Sequence, residues 1–149
     1  MRIPEPLFPF LNFVVRLLLK SPLHFLMSND VLLIQYVGRK TGAAYSTPVR
    51  YLHSGGRIRC ITTEEVQWWR NVQAEPAVSL VVGGTVSSYT AHVLERDPGH
   101  IRQLLAEFLA AFPQDAVYQE IRLDPDGSLN NEDLDKASYK AIVVEFQKA

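Results

Sequence analysis

The sequence predicts an α+β barrel of about six mostly antiparallel strands with two to three peripheral helices. Three observations carry that prediction. Runs rich in β-branched and aromatic residues recur at short spacing. Glycines punctuate them at Gly38 and Gly42, at Gly55-Gly56 and at Gly83-Gly84, where hairpin turns are needed. Helical periodicity is confined to a few segments. A chain of 149 residues suits one domain, residues 1–149, burying roughly 68–70% of its unfolded surface. Residues 1–27 read as an apolar helical extension of that domain.

In that extension, Pro4, Pro6 and Pro9 favour an extended or turn conformation. Phe10, Phe13, Val14, Leu17 and Leu18 then follow at helical spacing, which predicts a helix from about Pro9 to Lys20, stopped by Ser21-Pro22. It is too short for a bilayer, which needs about 20 apolar residues. No small-residue cleavage pattern of a secretory signal follows. Packing on the barrel is the plain expectation. Peripheral membrane contact is the alternative, because Leu7, Phe8, Phe10 and Leu11 leave little polar face. An exposed apolar helix of this kind also suits a homodimer contact.

Val31 to Val37 is the first strand and Tyr45 to His53 the second. In the second, Tyr45, Thr47, Val49 and Tyr51 alternate onto one face. Strand three runs from about Arg57 to Thr63. A helix is expected over Glu64–Ala74, with Thr63 as N-cap, Glu64-Glu65 on the positive end of the dipole and Glu75-Pro76 as the stop. Ala77–Val82 and Thr85–Glu95 are strands four and five. Asp97 and Pro98 open a second helix, in which Ile101, Leu104, Leu105, Phe108, Leu109 and Phe112 mark the buried stripe and Pro113 the end. Gln114–Arg122 reads as a short helix or irregular turn, and residues 124–135 as a polar loop. Ser138–Gln147 is the last strand.

The turn between the first two strands carries the chemistry. Arg39 offers a planar fork of donors for phosphate or carboxylate, and Lys40 a compact charge. Thr41 adds a hydroxyl, Gly42 allows positive φ, and successive turn amides form an anion-binding nest. A merely solvated hairpin tip is the competing reading.

Gly38-Arg39-Lys40-Thr41-Gly42, then Ser46-Thr47-Pro48-Val49 and Tyr51-Leu52, resembles the Gly-Arg-Lys-[Ser/Thr]-Gly…Thr-Pro signature of the deazaflavin (F420)-dependent nitroreductase family. Trp68-Trp69-Arg70-Asn71-Val72-Gln73-Ala74-Glu75-Pro76 resembles that family's Trp-Tyr-x-Asn-Leu-x-Ala-x-Pro helix. The resemblance implies the split β-barrel of flavin- and deazaflavin-binding proteins. It implies an oxidoreductase that passes a hydride between coenzyme F420, or FMN as the alternative cofactor, and a small planar acceptor such as a quinone, enone or nitro compound. The cofactor phosphate would meet Arg39, Lys40, Thr41 and Gly42. Thr47 and Pro48 would lie beneath the ring. Ile61, Thr62 and Thr63 would face its polar edge. Trp68, Trp69, Arg70 and Asn71 would flank the cofactor or hold the helix to the barrel. Tyr118 matches a tyrosine of the family's substrate pocket and is the candidate proton donor; Gln119 matches as well. Asp115 departs from the pattern, standing where a tyrosine is usual. The loop after strand three also departs, being short and carrying Glu64 and Glu65 where the family has lysine and glycines. Those carboxylates would repel an anionic cofactor tail.

Other classes are disfavoured by composition. A net charge of −1 provides no global basic field for nucleic acid. Cys60 is the single cysteine, so no internal disulfide forms; a reducing cytoplasm and a buried, inert thiol are expected. His24, His53, His92 and His100 are scattered, and no metal-ligand spacing exists. Asp124 and Asp126-Gly127 lack the spacing of a calcium loop. Two further readings stay open on the sequence: a non-catalytic flavin- or haem-binding barrel, and a barrel with no ligand.

Overall fold

Val31–Val37 (β1) and Ala44–Arg50 (β2) form the expected hairpin, paired antiparallel from Val31 opposite Arg50 to Val37 opposite Ala44. The computed structural model describes residues 30–149. The expected helix Pro9–Lys20, with its membrane and dimer alternatives, lies outside the described residues. After the hairpin come β3 (Leu52–Ser54), β4 (Arg57–Thr63), α1 (Trp68–Ala74), β5 (Ala77–Val82) and β6 (Thr85–Val93). Then follow α2 (Pro98–Ala111), a tight 3-10 helix (Pro113–Gln119), α3 (Asn131–Ala137) and β7 (Ala141–Lys148).

The strands form one antiparallel sheet in the order β2-β1-β5-β6-β7-β4-β3. Its seven strands replace the six expected, because the second arm of the hairpin breaks at Tyr51. The Tyr51 amide donates to the Asp30 carbonyl and so finishes the pairing with β1. The next residues leave β1 and pair with β4, Leu52 opposite Arg59. The two edges of the sheet are therefore consecutive stretches of chain. The sheet must curl to let one arm serve both edges, and curling also hides edges that would otherwise invite aggregation.

Two apolar cores result. The first lies inside the curl and holds Ile34, Tyr51, Cys60, Val72, Leu80 and Phe146, among others. The second lies between α2, α3 and the outer face of β7. Because strand residues alternate, β7 gives Ile142, Val144 and Phe146 to the first core and Ala141 and Val143 to the second. That is why this strand reads as an unbroken apolar run. Cys60 is buried in the first core, and burial pushes its thiol well above the ordinary range.

Helix α2 matches expectation. The Asp97 side chain accepts from the Gly99 amide, Pro98 sits at the start, and Ile101, Leu104, Leu105, Phe108 and Leu109 are buried. Two readings are corrected. Helix α1 starts at Trp68, not Glu64, and Thr63 is not its cap. The Glu64 amide donates to the Lys140 carbonyl, so the chain is still following the β4–β7 ladder where helix was expected. Residues 124–135 are not all loop, since α3 begins at Asn131. Asn130 caps it by accepting from the Asp133 amide, and Leu134 and Ala137 are its buried anchors. Two apolar positions in seven residues gave too weak a period to see.

Arg59 and Glu145 are each only 8% exposed. Arg59 Nε and Nη2 converge on Glu145 Oε2 at 3.1 and 2.9 Å, with Ser54 and the half-exposed Glu107 nearby. Removing one member of such a pair strands the other. Glu145→Ala should cost about 3 kcal/mol, read as a lowered urea midpoint.

Gly38 is required for space, not for conformation. A Cβ there would stand 2.6 Å from Tyr45 Cε2. The Tyr45 ring lies across the turn and stacks on Tyr36 with centroids 5.9 Å apart. Gly38→Ala should lose about 1 kcal/mol as that stack is displaced. The same change made on a Tyr45→Ala background should cost almost nothing, which a double-mutant cycle in urea will measure.

Candidate functional site

Strand alternation builds the site. Thr47, Val49 and Tyr51 point toward the first core, as the sequence predicts: the Thr47 hydroxyl bonds the Tyr36 hydroxyl at 2.9 Å, Val49 packs on that core and Tyr51 is within it. Pro48 and Arg50 consequently face the other side of β2. There, with the edges of Val49 and Val31, they wall a cavity of about 470 Å³. Ile61, Thr62 and Thr63 at the end of β4, with Val66 and Trp68, form the opposite wall. Phe108 and Leu109 of α2, and Asp115, Tyr118 and Gln119 of the 3-10 helix, complete it. The volume lies within the range of small-molecule sites, and the lining is mainly apolar with a few polar groups.

A second cleft, about 380 Å³, opens over the basic turn. Tyr36, Gly38, Arg39, Lys40, Thr41 and Tyr45 line one side, and Gln67 and Asn71 the other. Val66 and Trp68 face the first space while Gln67 faces the second, so both flank one three-residue segment.

Arg39 is the best-held cation here. Asn71 Oδ1 accepts from the Arg39 amide at 3.0 Å and from its Nη1 at 2.9 Å. Gln67 Oε1 accepts from Nη2 at 3.1 Å. These partners are neutral amide oxygens. They orient the guanidinium without cancelling its charge. Neither Arg39 nor Lys40 has a carboxylate partner among the described residues. Gly42 has φ 72°, and the Gly42 amide and the Thr41 hydroxyl close the turn on Gly38 and Ala43. The amides of Lys40 and Thr41 find no acceptor among the described residues. The donor set suits an anion.

The structure thus gathers Pro48, Ile61, Thr62, Thr63, Trp68 and Tyr118 at the first space, and Arg39, Lys40, Thr41 and Asn71 at the second. It separates Thr47, Trp69 and Arg70 from both. Trp69 is buried in the first core, and the Arg70 guanidinium lies 4.4 Å over its ring while Nη2 donates to the Glu64 carbonyl. Glu64 does not front the clefts; Arg96 Nη2 pairs with its carboxylate at 2.9 Å. Glu65 is exposed, and a hydrogen bond from the Thr63 hydroxyl holds its carboxyl below the ordinary value. One polar lining residue, Arg50, had no role in the sequence reading, and Asp115 entered it only as a departure from the family's tyrosine. Arg50 Nε donates to Asp115 Oδ2 at 2.6 Å across the first space. The only signal for Arg50 was its position two residues beyond Pro48, on the face of β2 away from the core.

A mainly apolar space adjoining an uncancelled cationic turn fits an elongated ligand with one aromatic end and one anionic end. A family model described as F420H(2)-dependent quinone reductase matches residues 21–123. Comparison with curated proteins gives no match. Among solved structures, an F420-H2 dependent reductase (FDR-A) is similar at 22% identity and TM-score 0.51, over 78% of this chain and 94% of that one. A structure described as a domain-swapped dimer is similar at 22% identity and TM-score 0.51, over 94% and 99%. HutZ, the haem storage protein from Vibrio cholerae, is similar at 14% identity and TM-score 0.55, over 85% and 86%. These structural likenesses speak for the fold. The family match covers well over half of the chain, and the chain belongs to the F420H(2)-dependent quinone reductase family: it is an oxidoreductase that uses coenzyme F420.

Proposed function

We propose that the two adjoining spaces hold the two ends of one F420 molecule in a split-barrel domain spanning residues 1–149. One observation carries this reading: Arg39 is fixed by neutral amides, with its charge uncancelled, beside an apolar cavity of suitable size. Arg39, Lys40, Thr41 and Gly42 would hold the phosphate. Pro48, Ile61, Thr62, Thr63 and Trp68 would enclose the ring. Reduced F420 supplies the hydride when bound.

The chain's own residues orient the reactants and exclude water. Asn71 and Gln67 fix the phosphate-binding fork. Thr47 acts from behind by tethering Tyr36, which lines the turn cleft. Trp69 and Arg70 anchor α1 rather than touch the cofactor. Tyr118 would give a proton to a reduced acceptor, a role supported by its 76% exposure and its position in the lining of the first cavity. The acceptor is a planar quinone, enone or nitro compound, with the conjugated carbonyls favoured by the polar pair in the cavity. The chemistry and the lone buried thiol suit a reducing cytoplasm. A homodimer is our reading of the assembly, supported by the similar structure described as a swapped dimer.

Titration with F420 and with FMN, followed by fluorescence, tests the reading. F420 should bind and FMN should bind more weakly. Replacing Arg39 and Lys40 together by Ala should weaken F420 at least about tenfold, a loss of about 1.4 kcal/mol. The same variant should change folding stability by no more than about 0.5 kcal/mol, because both residues are exposed. Unchanged F420 affinity in that variant would reject the assignment.

A further inference from the structure

We infer that Arg50 is the group that receives the acceptor's carbonyl oxygen and stabilises the negative charge formed there. This rests on the F420-dependent reading above. Arg50 is the only cation lining the first cavity among the described residues. Its Nε is held by Asp115 at 2.6 Å, its Nη1 lies 3.8 Å from Asp30, and its guanidinium stacks 5.1 Å over the Phe112 ring. Three contacts on different sides fix the plane of the fork. Nη2 has no partner among the described residues. A guanidinium pinned in this way keeps donors free and already oriented, which is what stabilises charge as it develops.

The chemistry requires such a donor. Hydride addition to carbon of a conjugated carbonyl acceptor forms one C–H bond, breaks one π bond and puts the displaced electron pair on the carbonyl oxygen. The acceptor is reduced by two electrons, and reduced F420, the donor in the established activity, is oxidised by two. A proton from Tyr118 or solvent then neutralises the oxygen. Arg50 would hold that oxygen in the interval.

The simpler role for the pair is a latch that keeps the 3-10 helix over the cavity. That helix is already tied down elsewhere. Gln119 Nε2 donates to the Thr62 carbonyl at 3.4 Å, and Phe112, Ala116 and Ile121 are buried in the second core. A mainly apolar cavity is also a costly place for an ion pair kept only as a clip.

The test separates the two roles by asymmetry. The probe is the hydroxynaphthoquinone lawsone, an anion at neutral pH whose negative charge is shared over its oxygens, like the oxygen-centred charge that hydride addition leaves. Its binding is measured by absorbance on protein loaded with oxidised F420, so no turnover occurs. Arg50→Gln should weaken lawsone at least about tenfold. Arg50→Lys should weaken it less. Asp115→Asn should leave affinity unchanged or raise it, because it removes a negative charge and spares the cation. Equal losses in Arg50→Gln and Asp115→Asn would make the pair a latch and overturn the inference, as would no loss in Arg50→Gln. F420 affinity is read separately on the wild-type protein. Failure of F420 to bind there would sink the proposed function; normal F420 binding with lawsone indifferent to Arg50 would sink only this inference.

Discussion

One bent strand sets the terms for everything else. Residues 44–54 pair with β1 at one end and with β4 at the other, and the change of partner falls at Tyr51. Because the same arm is both edges of the sheet, the sheet has to curl, and an interior core forms. Alternation along that arm then sorts side chains without further instruction. Thr47, Val49 and Tyr51 turn to the core, with the half-buried Val49 also reaching the cavity, and Pro48 and Arg50 go to the cavity. A shift by one residue would exchange core and site.

Electrostatics is handled differently at each cation, and the difference is informative. Arg59 sits buried and is fully matched by Glu145, which is a structural arrangement. Arg39 sits exposed and is steered by amide oxygens that carry no charge. Arg50 lies between these extremes, held by Asp115, by the more distant Asp30 and by one ring while a donor stays open. Glu64, which looked like an obstacle to an anionic tail, is neutralised by Arg96. Charge that serves the fold is cancelled, and charge at the basic turn is left available.

Much of this was legible in the sequence because it depends on local rules. The Gly-bounded basic turn, the hairpin it closes, the Asp97-Pro98 helix start and the buried stripe of α2 follow from turn chemistry, alternation and helical period. The family resemblance supplied the cofactor, which local rules alone could not. Where the reading failed, a long-range bond had overruled a local preference. Glu64 and Glu65 suit a helix start, yet the Lys140 carbonyl claims the Glu64 amide and keeps the chain extended.

The sequence by itself determined a glycine-punctuated β-rich chain with a cationic turn and a strongly amphipathic helix, since each is written within a few neighbouring residues. Only the tertiary structure decided that one strand closes both edges, that Asn71 and Gln67 steer Arg39, and that Arg50 meets Asp115 across a cavity. Those pairs are separated by 32, 28 and 65 positions, so no local spacing records them. Their distance is set by how the curled sheet brings β2, α1 and the 3-10 helix around one space.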